Sequence, residues 1–145
     1  MQTVLNMREN ELEARQMELA KIVTALNSQK EKLQLIIQAQ EENKSDLEAL
    51  STQEELDIVQ VQMRQNYVVK LNNDAVNQER IIANTQNILK IKQKEVLEAH
   101  KKVEVLKKLK EKQEKEYYKE FLQSETKEID DITSARFRFN DTGIN

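Results

Sequence analysis

Leucine returns at every seventh position through Leu5, Leu12, Leu19, Leu26 and Leu33, and again at Leu47 after a polar interruption at Gln40. An α-helix has 3.6 residues per turn, so a sevenfold stripe stays against one neighbour only when two helices wind gently about each other. The second half repeats the spacing with Val61, Val68, Ala75, Ile82, Leu89, Val96 and Val103. The companion positions are mixed: Arg8, Arg15, Ile22, Gln29 and Ile36 in the first half, and Arg64, Leu71, Gln78, Thr85, Lys92, Ala99 and Leu106 in the second. A stripe this thin buries enough for two strands but too little for a four-helix core. The pattern predicts an all-α fold, a long antiparallel two-helix coiled-coil hairpin with unequal arms.

Composition supports long helices over the alternatives. Hydrophobic residues make up 38% and charged residues 34%, with no Pro, no Cys, no Trp and a single Gly. A disordered chain has no reason to keep a regular apolar period among strong helix formers. The lack of Cys excludes a disulfide framework or thiolate metal site and fits a reducing compartment. No apolar run approaches the roughly 18 residues of a membrane span, and the start shows no signal-peptide pattern, so a soluble, cytoplasmic protein is expected. A net charge of −3 argues against nucleic acid as a partner. Two exposed helices offer no concave pocket for an acid/base pair, no Gly-rich phosphate loop occurs, and His100 is a lone histidine. No enzyme activity, cofactor or metal is expected.

The polar stretch "NKSDLEALSTQ" at 43–53 interrupts the stripe, and Ser51 with Glu54 forms an S-x-x-E capping box able to restart a helix. The expected division is a first coiled-coil helix over 1–48, a turn over 49–56, a second, longer helix over 57–134 and a disordered tail over 135–145. A fold-back near residue 50 gives the second arm a span on the order of 120 Å. It sets residue 1 beside residue 100 and leaves about 101–134 overhanging. In the tail, Arg and Phe alternate over 136–139; fraying with a turn at Asp141-Thr142-Gly143 is the expectation, and an adhesive strand-forming peptide the alternative.

The predicted overhang is two-toned. Residues 101–119 hold eight Lys against four Glu, whereas 120–131 hold five acids against Lys127. Glu98/Lys102, Glu104/Lys108 and Glu111/Lys115 are favourably oriented i,i+4 pairs that help a lone helix persist. Tyr117 with Phe121 and Tyr118 with Leu122 have the same spacing, and with Ile129 and Ile132 they form an apolar patch. The patch packs either on the first helix or on an external partner.

Three segments carry a resemblance to a known family: "LNMRENELEARQMELA" at the start, "YVVKL" followed by "AVNQE" in the second helix, and "LKKLKEKQEKEYYKEFLQSETKEIDD" near the end. Their order and spacing, over nearly the whole chain, are similar to those of FliJ, the stalk protein of the bacterial flagellar type III export apparatus. Family members usually open with an aromatic-x-aromatic lead, and this chain opens at Met1-Gln2-Thr3. Either the start is truncated or misassigned, or this member lacks the lead.

The resemblance implies a long antiparallel coiled coil without catalytic activity. It implies that the protein binds the hexameric export ATPase, as a γ stalk sits in a rotary ring, engages the cytoplasmic domain of the export gate, and handles export chaperones. It places the protein in the cytoplasm, peripheral at the cytoplasmic face of the inner membrane. Carried onto this chain, the aromatic-x-x-x-Leu element is Tyr67 and Leu71, for gate contact. Arg8, Glu9, Glu125, Lys127 and Asp130 match the ATPase-facing positions. Beside the resemblance, Tyr117, Tyr118, Phe121 and Leu122 are expected to order the ring-facing end. The alternatives are a self-associating coiled-coil scaffold and the stalk of a virulence-type secretion system.

Overall fold

The computed structural model describes residues 1–143, with side chains through 138. Two helices make up the chain, α1 over Gln2–Ser51 and α2 over Ile58–Gly143, and no strand occurs among the described residues. They pack against each other as the expected antiparallel hairpin, 50 residues against 86. Packing divides the chain into two units, 10–99 and 1–9 with 100–145.

Within 10–99 the sevenfold stripes form the seam. Leu26, Leu50, Leu71, Ile82 and Ala99 are buried, and Leu12, Leu19, Leu33, Leu47, Val61, Val68, Ala75, Leu89 and Val96 are half-buried. The mixed companion positions also turn inward, including Asn43, Gln78 and Thr85, which are buried polar residues. Their hydrogen bonds fix the direction of pairing. Arg15 reaches Glu95, Gln78 Nε2 donates to the Gln29 carbonyl at 2.9 Å, Gln40 Nε2 donates to Asn72 Oδ1 at 3.0 Å, and Asn43 Nδ2 donates to the Arg64 carbonyl at 3.0 Å. Numbers rising along α1 meet numbers falling along α2.

The connection falls at 52–57, later than the expected 49–56. Ser51 does not cap the second helix. It closes the first: its Oγ donates to the Glu48 carbonyl at 2.7 Å, and Thr52 Oγ1 donates to the Ala49 carbonyl at 2.9 Å. Two hydroxyls thus satisfy last-turn carbonyls and carry α1 to Ser51. The cap of α2 is Asp57, whose Oδ1 accepts from the Gln60 N–H at 3.3 Å while its carbonyl accepts from the Val61 N–H at 3.0 Å. A short carboxylate acceptor three residues before a free N–H is the ordinary way to start a helix.

In the unit of 1–9 with 100–145, Leu5 and Val103 are buried, Val103 at 2% exposure. Lys110 Nζ donates to Gln2 Oε1, and Met1 shares a groove with Gln113, Tyr117 and Tyr118. The overhang therefore begins near residue 111, where continuous exposure starts, and not at 101. Each residue by which a turn moves shifts the facing partner by two, so a small misplacement at the turn grows at the chain end. α2 also passes the expected boundary at 134, and the backbone of 135–143 is helical where a frayed tail and a turn were expected. No Pro interrupts the segment, and a nucleated helix adds one hydrogen bond per residue. Residues 144 and 145 lie outside the described residues.

Candidate partner-binding site

Near the turn, Leu71 and Tyr67 lie one helical turn apart and meet different environments. Leu71 is 4% exposed, packed in the seam beside a cleft of about 220 Å³ that Asn43, Leu47 and Val68 also line. Tyr67 is 38% exposed and forms the wall of an open groove with Gln60, Met63 and Arg64. Arg64 is held from α1: Nη1 lies 3.2 Å from Asp46 Oδ2 and donates to Asn43 Oδ1 at 3.4 Å. Of the two residues carried over for gate contact, only Tyr67 presents surface, and Leu71 supports the helix beneath it.

Farther along the same unit, four charged side chains form a closed square. Arg15 Nη1 lies 3.3 Å from both Glu18 Oε2 and Glu95 Oε2, and Lys92 Nζ lies 3.3 Å from the same two oxygens. The hydrogen bond from Lys92 does most to hold the Glu18 carboxyl below its usual 4.5, with Arg15 next. Lys92 is raised above its usual 10.5, first by its hydrogen bond to Glu18 and then by Glu95. Sequence reasoning missed this square. Arg15 and Lys92 looked like lapses in the seam, yet each has a glutamate three residues on, at Glu18 and Glu95.

The five residues matched to ATPase-facing positions fall in the unit of 1–9 with 100–145. They do not form one cluster. Arg8 is half-buried in a groove with Val4, Lys101, Lys102 and Leu106, and Glu9 beside it is exposed. Glu125, Lys127 and Asp130 are exposed on α2, about 30 Å farther along its axis by helical rise. Between these groups lie Tyr117, Tyr118, Phe121 and Leu122. All four are exposed, Tyr117 at 74%, where the sequence allowed packing on the first helix. Only Tyr117 and Tyr118 reach the groove beside Met1.

Every residue from 111 to 138 is exposed. The segment is a single helix with large apolar side chains in water, at Tyr118, Phe121, Leu122, Ile129 and Ile132 among others. Such surface on a lone helix is a candidate interaction face. Among the described residues no group of His, Cys, Asp and Glu could hold a metal ion, and no helix is long and apolar enough to cross a membrane. Compared with known proteins, residues 1–141 match the family model described as the flagellar FliJ protein. No curated protein and no solved structure matches the chain.

Proposed function

Because the chain belongs to the flagellar FliJ protein family, whose members are non-catalytic proteins of flagellar export, we propose that it is the stalk that joins the hexameric export ATPase to the export gate. The observation that carries this reading is the uncovered end of α2, where residues 111–138 are exposed throughout and combine an apolar patch with charges of both signs. A helix end of this kind docks on a ring through several weak, salt-sensitive contacts that give steering and register more than grip. Glu125, Lys127 and Asp130 are among the charges on that segment, Arg8 and Glu9 add theirs where α1 begins, and Tyr117, Tyr118, Phe121 and Leu122 contribute apolar surface.

Gate contact falls to the other unit, at the groove wall formed by Tyr67, with Leu71 holding the helix underneath. Export chaperones are further partners in this reading. It places the protein in the cytoplasm, peripheral at the cytoplasmic face of the inner membrane. A scaffold held by the sevenfold stripes is disfavoured, because those stripes already pair within one chain.

The test is a pull-down with the export ATPase and the cytoplasmic domain of the gate, combined with an ATPase stimulation assay. Tyr67→Ala should lose gate binding and keep ATPase binding. Phe121→Ala should weaken stimulation while helicity stays intact. Unchanged stimulation with intact helicity removes the patch from the ring, and loss of both partners from either single change removes the division of labour.

A further inference from the structure

The apolar face of the overhang is not a continuation of the hairpin seam. Carried forward from Val103, Leu106 and Lys110 at the same spacing, the seam reaches Gln113, Tyr117, Glu120, Ser124, Lys127 and Asp131, which are polar beyond Tyr117. The apolar residues follow another phase. Tyr118, Leu122, Ile129 and Ile132, with Glu125 among them, are spaced four and three apart, and Phe121 lies beside them. At 3.6 residues per turn they occupy a face roughly 100° wide, turned about 80° from Val103, Leu106 and Lys110 and about 130° from the continued seam. More of the same partner helix would have kept the seam in phase. The alternating four-three spacing is that of a second coiled-coil stripe, made for a different helix.

Charge indicates which helix. Residues 107–119 hold six Lys against three Glu, and residues 120–131 hold five acids against Lys127. A segment with one half positive and the next negative repels a parallel copy of itself, basic on basic and acidic on acidic. It attracts an antiparallel copy, in which each half meets its opposite.

We propose that α2 over 108–132 packs antiparallel on the same segment of a second copy of this chain, about a two-fold axis near Glu120. In that register Tyr118 meets Leu122 of the second copy, and Lys115 meets its Glu125, each layer occurring twice by symmetry. Glu120 lies on the face away from the contact, so the axis brings no like charges together. The stem of Lys108 covers Ile132 of the second copy. The apolar residues are few, so the association is weak and depends on concentration and salt. The same pairing covers Tyr118, Phe121 and Leu122, which the stalk reading gives to the ATPase. Competition between the two rests on that reading; the pairing does not.

Sedimentation of the full chain alone tests it. The weight-average mass should rise with concentration from 17.1 kDa toward twice that value, and fall back when salt goes from about 50 mM to about 500 mM. Lys115→Glu and Glu125→Lys, each alone, set like charges across one layer and should weaken the dimer at least about fivefold. Combined in one chain they restore opposite charges and should recover it. Helicity read by circular dichroism on each variant separates lost pairing from lost folding. The chain has no Cys, so single spin labels report orientation: Ser124→Cys labels should approach within about 20 Å and Ser134→Cys labels stay about 40 Å apart. A monomer at every concentration in low salt overturns the proposal. So does a dimer with both label pairs close, or a combined variant that stays as weak as the single ones.

Discussion

Leu71→Ala and Tyr67→Ala, one turn apart on α2, should separate support from contact. Leu71 is 4% exposed and sits in the seam. Its truncation removes about three carbons from a buried site, a transfer cost of about 2.4 kcal/mol at about 0.8 kcal/mol per methylene. A residual cavity adds to this, and the cleft already beside Leu71 limits how far neighbours close in. A total of about 3 kcal/mol is in the range of measured Leu→Ala changes, which in a chain of this size lowers the thermal midpoint by roughly 6–12 °C. Tyr67 is 38% exposed on a groove wall, and its truncation should move the midpoint by less than about 3 °C. Gate binding should show the reverse order. Tyr67→Ala loses it at full helicity, and Leu71→Met, which keeps the volume, retains it. Differential scanning calorimetry with a binding titration reads both quantities. A midpoint unmoved by Leu71→Ala, or lowered as far by Tyr67→Ala as by Leu71→Ala, removes Leu71 from its supporting role.

The charged square makes stability depend on pH at both extremes. Glu18 is held below 4.5 and Lys92 above 10.5, so the square's contribution is complete between those values. It is lost as pH falls through the lowered Glu18 value and as pH rises through the raised Lys92 value. Denaturation midpoints of the native chain and Glu18→Gln should differ by a constant amount inside the window, converge below it and narrow above it, where Arg15 still holds Glu18, and a gap that stays constant far below 4.5 refutes the assignment. Asn43, 1% exposed, bonds Arg64 with both of its polar ends. Asn43→Leu should leave the thermal midpoint equal or higher but relax the register, seen as a broadened distance distribution between spin labels at positions 32 and 77; a single unchanged distance refutes it. Asp57→Ala removes the cap of α2 and should cost about 0.5–2 kcal/mol, with faster amide exchange at Gln60, whereas Glu54→Ala should leave that amide unchanged. Equal effects would return the cap to the Ser51 and Glu54 pair.

The hairpin could be read from the sequence because its cause is periodic. Seven residues from Val61 to Val103 and the leucines from Leu5 to Leu47 repeat one spacing, and burial follows that spacing even where the residue is Gln78, Thr85 or Lys92. The turn has no such redundancy. Without Gly or Pro near it, its place depends on which of several hydroxyls and carboxylates takes which backbone group, and Ser51, Thr52 and Asp57 divide that work in a way that spacing alone does not settle. The antiparallel register inherits the error twofold, which is why the overhang was expected ten residues early. For the candidate site, Tyr67 and Leu71 looked equivalent as an aromatic-x-x-x-Leu element, yet the seam claims Leu71 and leaves Tyr67 partly exposed on a groove wall.

The exposed patch from Tyr117 to Leu122 was visible as composition, but its meaning lies in its phase. A stripe that leaves the hairpin's sevenfold register just past the partners of Met1 and Gln2 has stopped serving the intrachain seam. Such a stripe adds little to the stability of the isolated chain, since its apolar surface is in water whether the chain is folded or unfolded. The face contributes only when a helix outside the hairpin covers it, so the proposed pairing gives one helix two successive seams, the first for its own chain and the second for another.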